Sequence, residues 1–355
     1  MQKKYLFSVC LAGILLFSAF GCAGGGISQS DESMIQSDQS DSQSEEESSS
    51  DLPQEEEISF LADRKYENGF GIMGMDTTLG RENLGYFDYG ASVNAQSDSV
   101  WQIGQWAGKS NFATEYTETE TEDGGWDYVA GGKHLRVNPQ TGVLTLGVDA
   151  SQEYDHPRLS GENWVHNLLE QNFAEPQNVE DCKHIYVKMK FRVDFCEKQM
   201  TNEEFNPNLH RAQLLWYITF QNLPEDTVYD EETGEWSEGR RGDYLWFGVP
   251  LYDSNLLKQE ESCSFDNGTG QYIYGLDNSW YLNVPIEMGE TCEFSFDILP
   301  YVKRGMEIIQ SRGGLVNVQY ENLYVNYMNM GFEVPGTFNI QATFDYLDIT
   351  YVKNK

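Results

Sequence analysis

Apolar and polar residues alternate along most of this chain. From 185 to 195, Ile185, Val187, Met189, Phe191, Val193 and Phe195 interleave with Tyr186, Lys188, Lys190, Arg192 and Asp194. Successive side chains of a strand point to opposite faces, so this stripe predicts a strand buried on one side and wet on the other. The same period runs through Cys292-Phe294-Phe296-Ile298, Leu323-Val325-Tyr327 and Phe338-Ile340-Ala342-Phe344. The phase then moves to Leu347, Ile349 and Tyr351, which predicts a bulge near Tyr346. Further strands are predicted around 99–106, 112–117, 126–129, 133–137, 143–149, 164–173, 209–222, 243–250 and 271–275. One segment, 300–311, has helical spacing. Val302, Met306 and Ile309 lie three or four apart, Pro300 suits a first turn, and Gly313-Gly314 ends the run. Many strands and one short helix predict an all-β chain, an antiparallel β-sandwich. Long strands in a domain this large favour a jelly roll over an immunoglobulin-like domain.

The first 57 residues break the pattern. Lys3 and Lys4 precede an uncharged, mostly apolar run from Tyr5 to Phe20. That run is short of the roughly 20 apolar residues a membrane span needs. It has the layout of a secretory signal. The run closes on Ala19-Phe20-Gly21-Cys22, which resembles the lipobox of bacterial lipoproteins. The resemblance implies cleavage of 1–21, a lipid on Cys22, and an extracytoplasmic protein held at the membrane by that lipid. Residues 22–57 are then a stalk, rich in Ser, Gln, Asp and Glu and free of Lys and Arg. Such a composition buries too little apolar surface to order itself. Residues 58–355 are read as a single β domain, since no internal linker or repeat divides them.

Charge narrows the partners. The chain holds 57 Asp and Glu against 23 Lys and Arg, a formal net charge of −34. A field of that sign repels polyanions, so nucleic acid is excluded as a partner and uronate or sulfated glycans are disfavoured. Neutral ligands meet no such barrier. Four cysteines, Cys182, Cys196, Cys263 and Cys292, fall in the domain. Cys182 and Cys196 flank one continuous strand and are held too far apart to pair. The phase of Cys292 makes it a small core residue. No cysteine or histidine spacing matches a zinc site.

Several stretches carry the overall pattern: IYVKMKFRVDF (185–195), LLWYITFQN (214–222), DYLWFGVPLYD (243–253) and a long C-terminal strand pair. Together they resemble the concanavalin A-like group of lectin and glucanase jelly rolls over most of 85–352. The resemblance implies two packed sheets, one of them concave and commonly used to bind glycan.

The candidate chemistry lies on three strands. In 209–222, Ala212, Leu214, Trp216, Ile218 and Phe220 form one face, while Arg211, Gln213, Tyr217, Thr219 and Gln221 form the other. A row of mixed donors, acceptors and a ring suits a sugar-binding sheet better than the lysines of an ordinary wet face. In 164–171, Trp164, His166 and Glu170 share parity with Leu168, offering a stacking ring and an acid–base pair. In 243–250, Tyr244 and Trp246 oppose the apolar Leu245, Phe247 and Val249, beside Gly248. Two acidic spots, Asp253-Ser254-Asn255 and Asp266-Asn267-Gly268-Thr269-Gly270, offer the hard oxygen ligands of calcium, though both read first as turns. No other cofactor is indicated.

These features favour a membrane-anchored protein that binds a neutral poly- or oligosaccharide through Arg211, Gln213, Tyr217, Tyr244, Trp246 and Trp164. A glycoside hydrolase on the same scaffold stays open. It needs two carboxylates at a set separation, and His166, Glu170 and Glu333 are the candidates, since no strand carries a Glu-x-Asp-x-x-Glu run. A polysaccharide lyase has the right residue types in Arg211, Gln213, His166 and Tyr217, but the charge opposes its substrates. A structural adhesin without a small ligand also fits. A two-lobed solute-binding protein does not, because the helices are missing.

Overall fold

The computed structural model of the chain describes residues 55–73, 83–90, 99–106, 108–154, 156–223, 244–266 and 270–354, with short paired pieces at 229–230 and 235–236. Among these residues lie strands β1 (Glu57–Ser59), β2 (Phe70–Met73), β3 (Asn83–Phe87), β4 (Trp101–Gly104), β5 (Thr117–Glu120), β6 (Trp126–Ala130), β7 (Lys133–Asn138), β8 (Val143–Asp149), β9 (Val165–Asn178) and β10 (Cys182–Lys198). They continue with β11 (Gln213–Asn222), β12 (Tyr229–Asp230), β13 (Glu235–Trp236), β14 (Tyr244–Asp253), β15 (Ser262–Asp266), β16 (Gln271–Gly275) and β17 (Thr291–Asp297). The helix α1 (Leu299–Ser311) precedes β18 (Leu323–Val334) and β19 (Phe338–Lys353). The expected signal peptide, Cys22 and nearly all of the expected stalk lie outside the described residues.

Two sheets face each other. One has eight strands, in the order β17-β10-β19-β8-β7-β6-β5, with β1 added on β19. The other has nine, in the order β15-β16-β14-β11-β18-β9-β4-β2-β3. Pairing is antiparallel except for β14 with β16 and β2 with β4. The alternating stripe of β10 holds from Ile185 to Val193: Ile185, Val187, Met189, Phe191 and Val193 are buried, and the lysines between them face out. A register shift between Val193 and Phe195 ends it, so Phe195, expected inward, is only half-buried and Cys196 packs against the core instead. From the opposing sheet, Leu214, Trp216, Ile218 and Phe220 of β11 and Leu245, Phe247 and Val249 of β14 fill the same core. The result is a mostly antiparallel β-sandwich with one α-helix among the described residues, the fold class expected from the alternation. Helix α1 buries Val302, Met306 and Ile309 and also Gly305, whose missing Cβ lets the helix close on the Tyr274 ring.

One polar side chain bridges the dry interior. Asn167 of β9 is fully buried, and its Nδ2 donates to the carbonyls of His134 and Gly147 in the opposite sheet, each at 3.0 Å. Those bonds spare a buried amide most of its desolvation cost and fix the relative placement of the two sheets.

Several details refine the sequence reading or depart from it. The domain begins before Ile58. Glu57 already pairs with Val352 and accepts from Lys188 and from Thr350, while Glu55 meets Lys183 at 2.6 Å. The stretch expected as a strand at 112–117 opens as a turn at Asn111, and β5 starts only at Thr117. The predicted phase shift near Tyr346 is a bulge at Asp345, since Lys190 faces Tyr346 and Phe191 faces Phe344. A second bulge, between Val325 and Tyr327, was not expected. It removes Tyr327 from the stripe of Leu323 and Val325 and hands the inward positions to Met328, Met330 and Phe332. All four cysteines of the domain are free, and Cys292 is half-buried beside the core rather than inside it.

Candidate functional site

The outward face of the nine-stranded sheet carries the polar parity positions of its strands. Pairing sets Tyr217 opposite Gly248 and Thr219 opposite Trp246. Gly248 has no Cβ, and one built there would stand 3.1 Å from the Tyr217 ring. The glycine therefore lets that ring settle against β14. Tyr217 and Trp246 come within 5.2 Å between ring centroids, at 60°, and Tyr244 lies 6.3 Å beyond Trp246. These three rings form a contiguous aromatic strip on one face, outside the space between the sheets. Tyr217 is 9% exposed, and its hydroxyl finds no hydrogen-bond partner among the described residues. Trp246 is half-buried, and its Nε1 is also without a partner.

Two further rows cross the same face. Tyr217 is in register with Asn329 of β18, Asn329 with Glu170 of β9, and Glu170 with Gln102 of β4. Gln213 is in register with Glu333, and Glu333 with His166. Between them runs a smaller, apolar row of Leu215, Gly331, Leu168 and Gly104. Many of these side chains point away from the core yet are sealed, among them His166, Leu168, Glu170 and Asn329. This part of the face is therefore shielded from solvent.

Electrostatics single out Glu333. It is half-buried and without a hydrogen-bond partner among the described residues. Burial, and after it the negative charge of Asp266, pushes its carboxyl up to about 7. Asp266 shares this face, because Trp246 is in register with Ile273 and Ile273 with Ser264, two residues before it. Burial and both carboxylates hold the Tyr217 phenol well above its ordinary range. Glu170 is differently placed. Its Oε1 lies only 2.6 Å from where a Cβ on Gly104 would be, so its carboxyl lies over β4. The two glutamates stand four positions apart on neighbouring strands, roughly 13 Å between backbones.

Several sequence candidates have other employment. Arg211 Nη1 meets Asp253 Oδ2 at 3.4 Å, and Gln213 Nε2 donates to the same oxygen at 2.9 Å. The Asn255 amide donates to Asp253 Oδ1 at 2.8 Å. The Asp253 side chain is fully buried, and a buried carboxylate needs donors. Arg211 and Gln213, expected as sugar grips, thus hold the carboxylate at the end of β14 in place. The same contacts occupy Asp253 as a calcium ligand, and among the described residues no group of three His, Cys, Asp or Glu comes together to hold a metal ion. Residues 267–269 of the other acidic spot lie outside the described residues.

Trp164 is half-buried under the guanidinium of Arg158, 5.2 Å from its ring, with His166 5.7 Å to another side. Arg158 thus covers part of the ring that was expected to stack on a sugar. His166 bonds through Nδ1 to the Trp106 carbonyl at 3.0 Å, and its Nε2 is buried without a partner. Burial lowers it to about 4, so it stays neutral near pH 7 and is a poor proton donor.

The sequence reading missed Tyr327, Asn329 and Gln102. The alternation of Met328, Met330 and Phe332 was the available signal for the first two, and the bulge at 325–327 masked it.

No protein-family model matches the chain, and no curated protein matches its sequence. Among solved structures, the chain is similar to endoglucanase cel12A from Rhodothermus marinus, at 11% identity over 72% of this chain and 100% of that one, with a TM-score of 0.36. A family 12 xyloglucanase from Bacillus licheniformis matches at 10% identity over 70% and 99%, with a TM-score of 0.40. The family 11 xylanase from Neocallimastix patriciarum matches at 10% over 70% and 100%, with a TM-score of 0.35. Values this low transfer neither a residue nor a reaction.

Proposed function

We propose that the outward face of the nine-stranded sheet binds a glycan free of acidic groups, and that a lipid on Cys22 holds the protein at the outside of the cell membrane. The observation that carries the first half is the strip of Tyr217, Trp246 and Tyr244 on a face that also carries amides, hydroxyls and carboxyls. Aromatic rings stack on the apolar faces of pyranoses, and the polar groups between them meet the hydroxyls. Losing one stacking ring costs about 1–3 kcal/mol by analogy with base stacking. Trp246→Ala is therefore expected to weaken binding of a neutral oligosaccharide about tenfold or more, with little change in melting temperature because the ring is half-exposed. Titration calorimetry and thermal melting check both arms. Unchanged affinity would remove the aromatic strip from the site.

The anchor rests on the sequence of 1–22. Cys22→Ser is expected to move the protein from the membrane fraction to the soluble one, as read by fractionation. Retention in the membrane would end the lipoprotein reading.

A hydrolytic reading has one observation in its favour. Glu333, raised to about 7, is in the protonation range of a general acid. Hydrolysis needs a second carboxylate about 5–5.5 or 6.5–9.5 Å away, and the Glu170 backbone stands roughly 13 Å from that of Glu333. Release of reducing ends from a bound polysaccharide would establish this reading over binding alone.

A further inference from the structure

Two turns at one end of the sandwich bring apolar side chains to the surface together. After β14, Leu256 is 48% exposed and Leu257 78%, and before β17, Met288 is 42% exposed. These turns lie side by side, because Leu256, Leu257, Pro285, Ile286 and Met288 line one cavity of about 160 Å3. A space of that order accepts one leucine or phenylalanine side chain. Hydrogen bonds fix both walls. Asn255 Nδ2 donates to the Pro207 and His210 carbonyls at 3.1 and 2.7 Å, and the Gly289 amide donates to the Val193 carbonyl at 2.8 Å. Apolar residues exposed singly are ordinary, whereas a contiguous group on fixed turns marks a contact surface.

Charge says what would cover it. Lys258 is the one cation in 254–261 and 278–290, and its Nζ is held by Asp277 at 2.8 Å. Glu260, Glu287 and Glu290 stand exposed in the same two segments, with no ion-pair partner among the described residues. We propose that this end docks a protein partner through a basic amphipathic segment, its apolar side chains on Leu256, Leu257 and Met288 and its lysines or arginines on Glu260, Glu287 and Glu290. Both turns lack strand structure, so the contact is made by side chains and not by an added strand. A second copy would set the same carboxylates against these, and an anionic bilayer would be repelled by them. The position suits a partner that arrives from outside. Asp253 is in register with Gln213, and Gln213 with Glu333, so the patch lies near the turn from β18 to β19. The chain enters the sandwich beside Val352, at the other end of β19 and roughly 45 Å away.

The test uses three fourteen-residue peptides on the full chain at physiological salt, where bulk charge is screened beyond about 8 Å. One has leucines on one helical face and lysines on the other. The second replaces its leucines by serine, and the third replaces its lysines by glutamate. The leucine–lysine peptide is expected to bind at least about tenfold tighter than either control. Leu256→Ser with Leu257→Ser is expected to bring it down to the level of the serine–lysine peptide. Leu257→Ser alone, at the most exposed of these positions, is expected to cost about threefold or more and stands in if the pair disturbs folding, as read by thermal melting. Glu287→Gln with Glu290→Gln is expected to weaken binding by a similar factor, while Glu120→Gln with Glu122→Gln, which removes the same charge from β5 and the turn after it, leaves it unchanged. Equal binding of the leucine–lysine and serine–lysine peptides would overturn the proposal by reducing the effect to bulk charge, as would equal weakening by the two glutamate pairs. Native affinity in the leucine variants, or tighter binding of the leucine–glutamate peptide, would overturn it as well. Sedimentation showing a dimer that Leu257→Ser dissolves would overturn it in favour of contact between copies.

Discussion

Gly331→Ala is expected to destabilise the protein by about 3 kcal/mol or more and to abolish ligand binding at the outward face of the nine-stranded sheet. Gly331 sits in β18 between Asn329 and Glu333, with a φ of 150°. Residues with a side chain rarely adopt that backbone conformation, at a cost of order 1–3 kcal/mol. Space adds a second penalty. A Cβ at 331 would stand 2.3 Å from the Asn167 carbonyl oxygen and 2.9 Å from the Leu168 Cα, both backbone atoms of β9. Neither can yield without opening the pairing of β18 with β9, and overpacking of that kind costs about 1–3 kcal/mol more. For a domain near 300 residues the sum lowers the melting temperature by roughly 5 °C or more. Gly289→Ala is the control. Gly289 also has positive φ, but nothing lies within 4 Å of its missing Cβ, so it should lose only the conformational part. Equal melting temperatures for the two variants would refute the steric account.

Lys133→Met is expected to change how stability depends on pH. Lys133 shares parity with Leu135 and Val137, faces the interior and is fully buried, with its Nζ unpaired. Burial lowers it from 10.5 to about 7, against a smaller opposing pull from Glu153. Glu153 is itself engaged by the backbone amides of Lys109 and Ser110. Between about pH 7 and 10.5 the folded protein holds this amine neutral and the unfolded chain holds it charged. Unfolding then takes up a proton, so stability from this group rises with pH by about 1.4 kcal/mol per unit. Below about pH 7 both states carry the charge and the burial penalty is present in full. The methionine variant lacks the slope. Its stability relative to the native protein should therefore be greatest near neutral pH and fall by about 2 kcal/mol by pH 9. Denaturant titrations at about pH 7, 8 and 9 on both proteins read the difference. A gap constant with pH would show that Lys133 is not titrating in the folded state.

How much of the fold is legible in the sequence depends on where period two survives. β10, β11, β14 and β17 keep an unbroken alternation over most of their length, and their inward and outward residues can be read from the sequence alone. That parity also places Tyr217, Trp246 and Tyr244 on one face. Alternation fails at bulges, because one inserted residue reverses every later side chain. The bulge at 325–327 therefore hid Tyr327 and Asn329, while the one at Asp345 announced itself through the shift from Phe344 to Leu347. Parity also says which way a residue points and nothing about what it meets. Arg211 and Gln213 point as expected, but a buried carboxylate about forty residues onward claims both. Trp164 is partly covered by Arg158 for a similar reason: the guanidinium comes from a turn that no periodicity connects to β9.

The start of the fold has a mechanical consequence. The chain enters the sandwich at β1, whose three residues pair with the last strand, and Phe60 continues the ladder by donating to the Ile349 carbonyl at 2.8 Å. Lys183 and Lys188 clip Glu55 and Glu57 to the neighbouring β10. Tension arriving from the N-terminal side thus loads a short strand laid along β19, reinforced by two ionic clips, before it reaches any residue of the outward face of the nine-stranded sheet. β19 in turn lies between β10 and β8, in the middle of the eight-stranded sheet. Pull from that side therefore enters the eight-stranded sheet, not the strands of the opposite face.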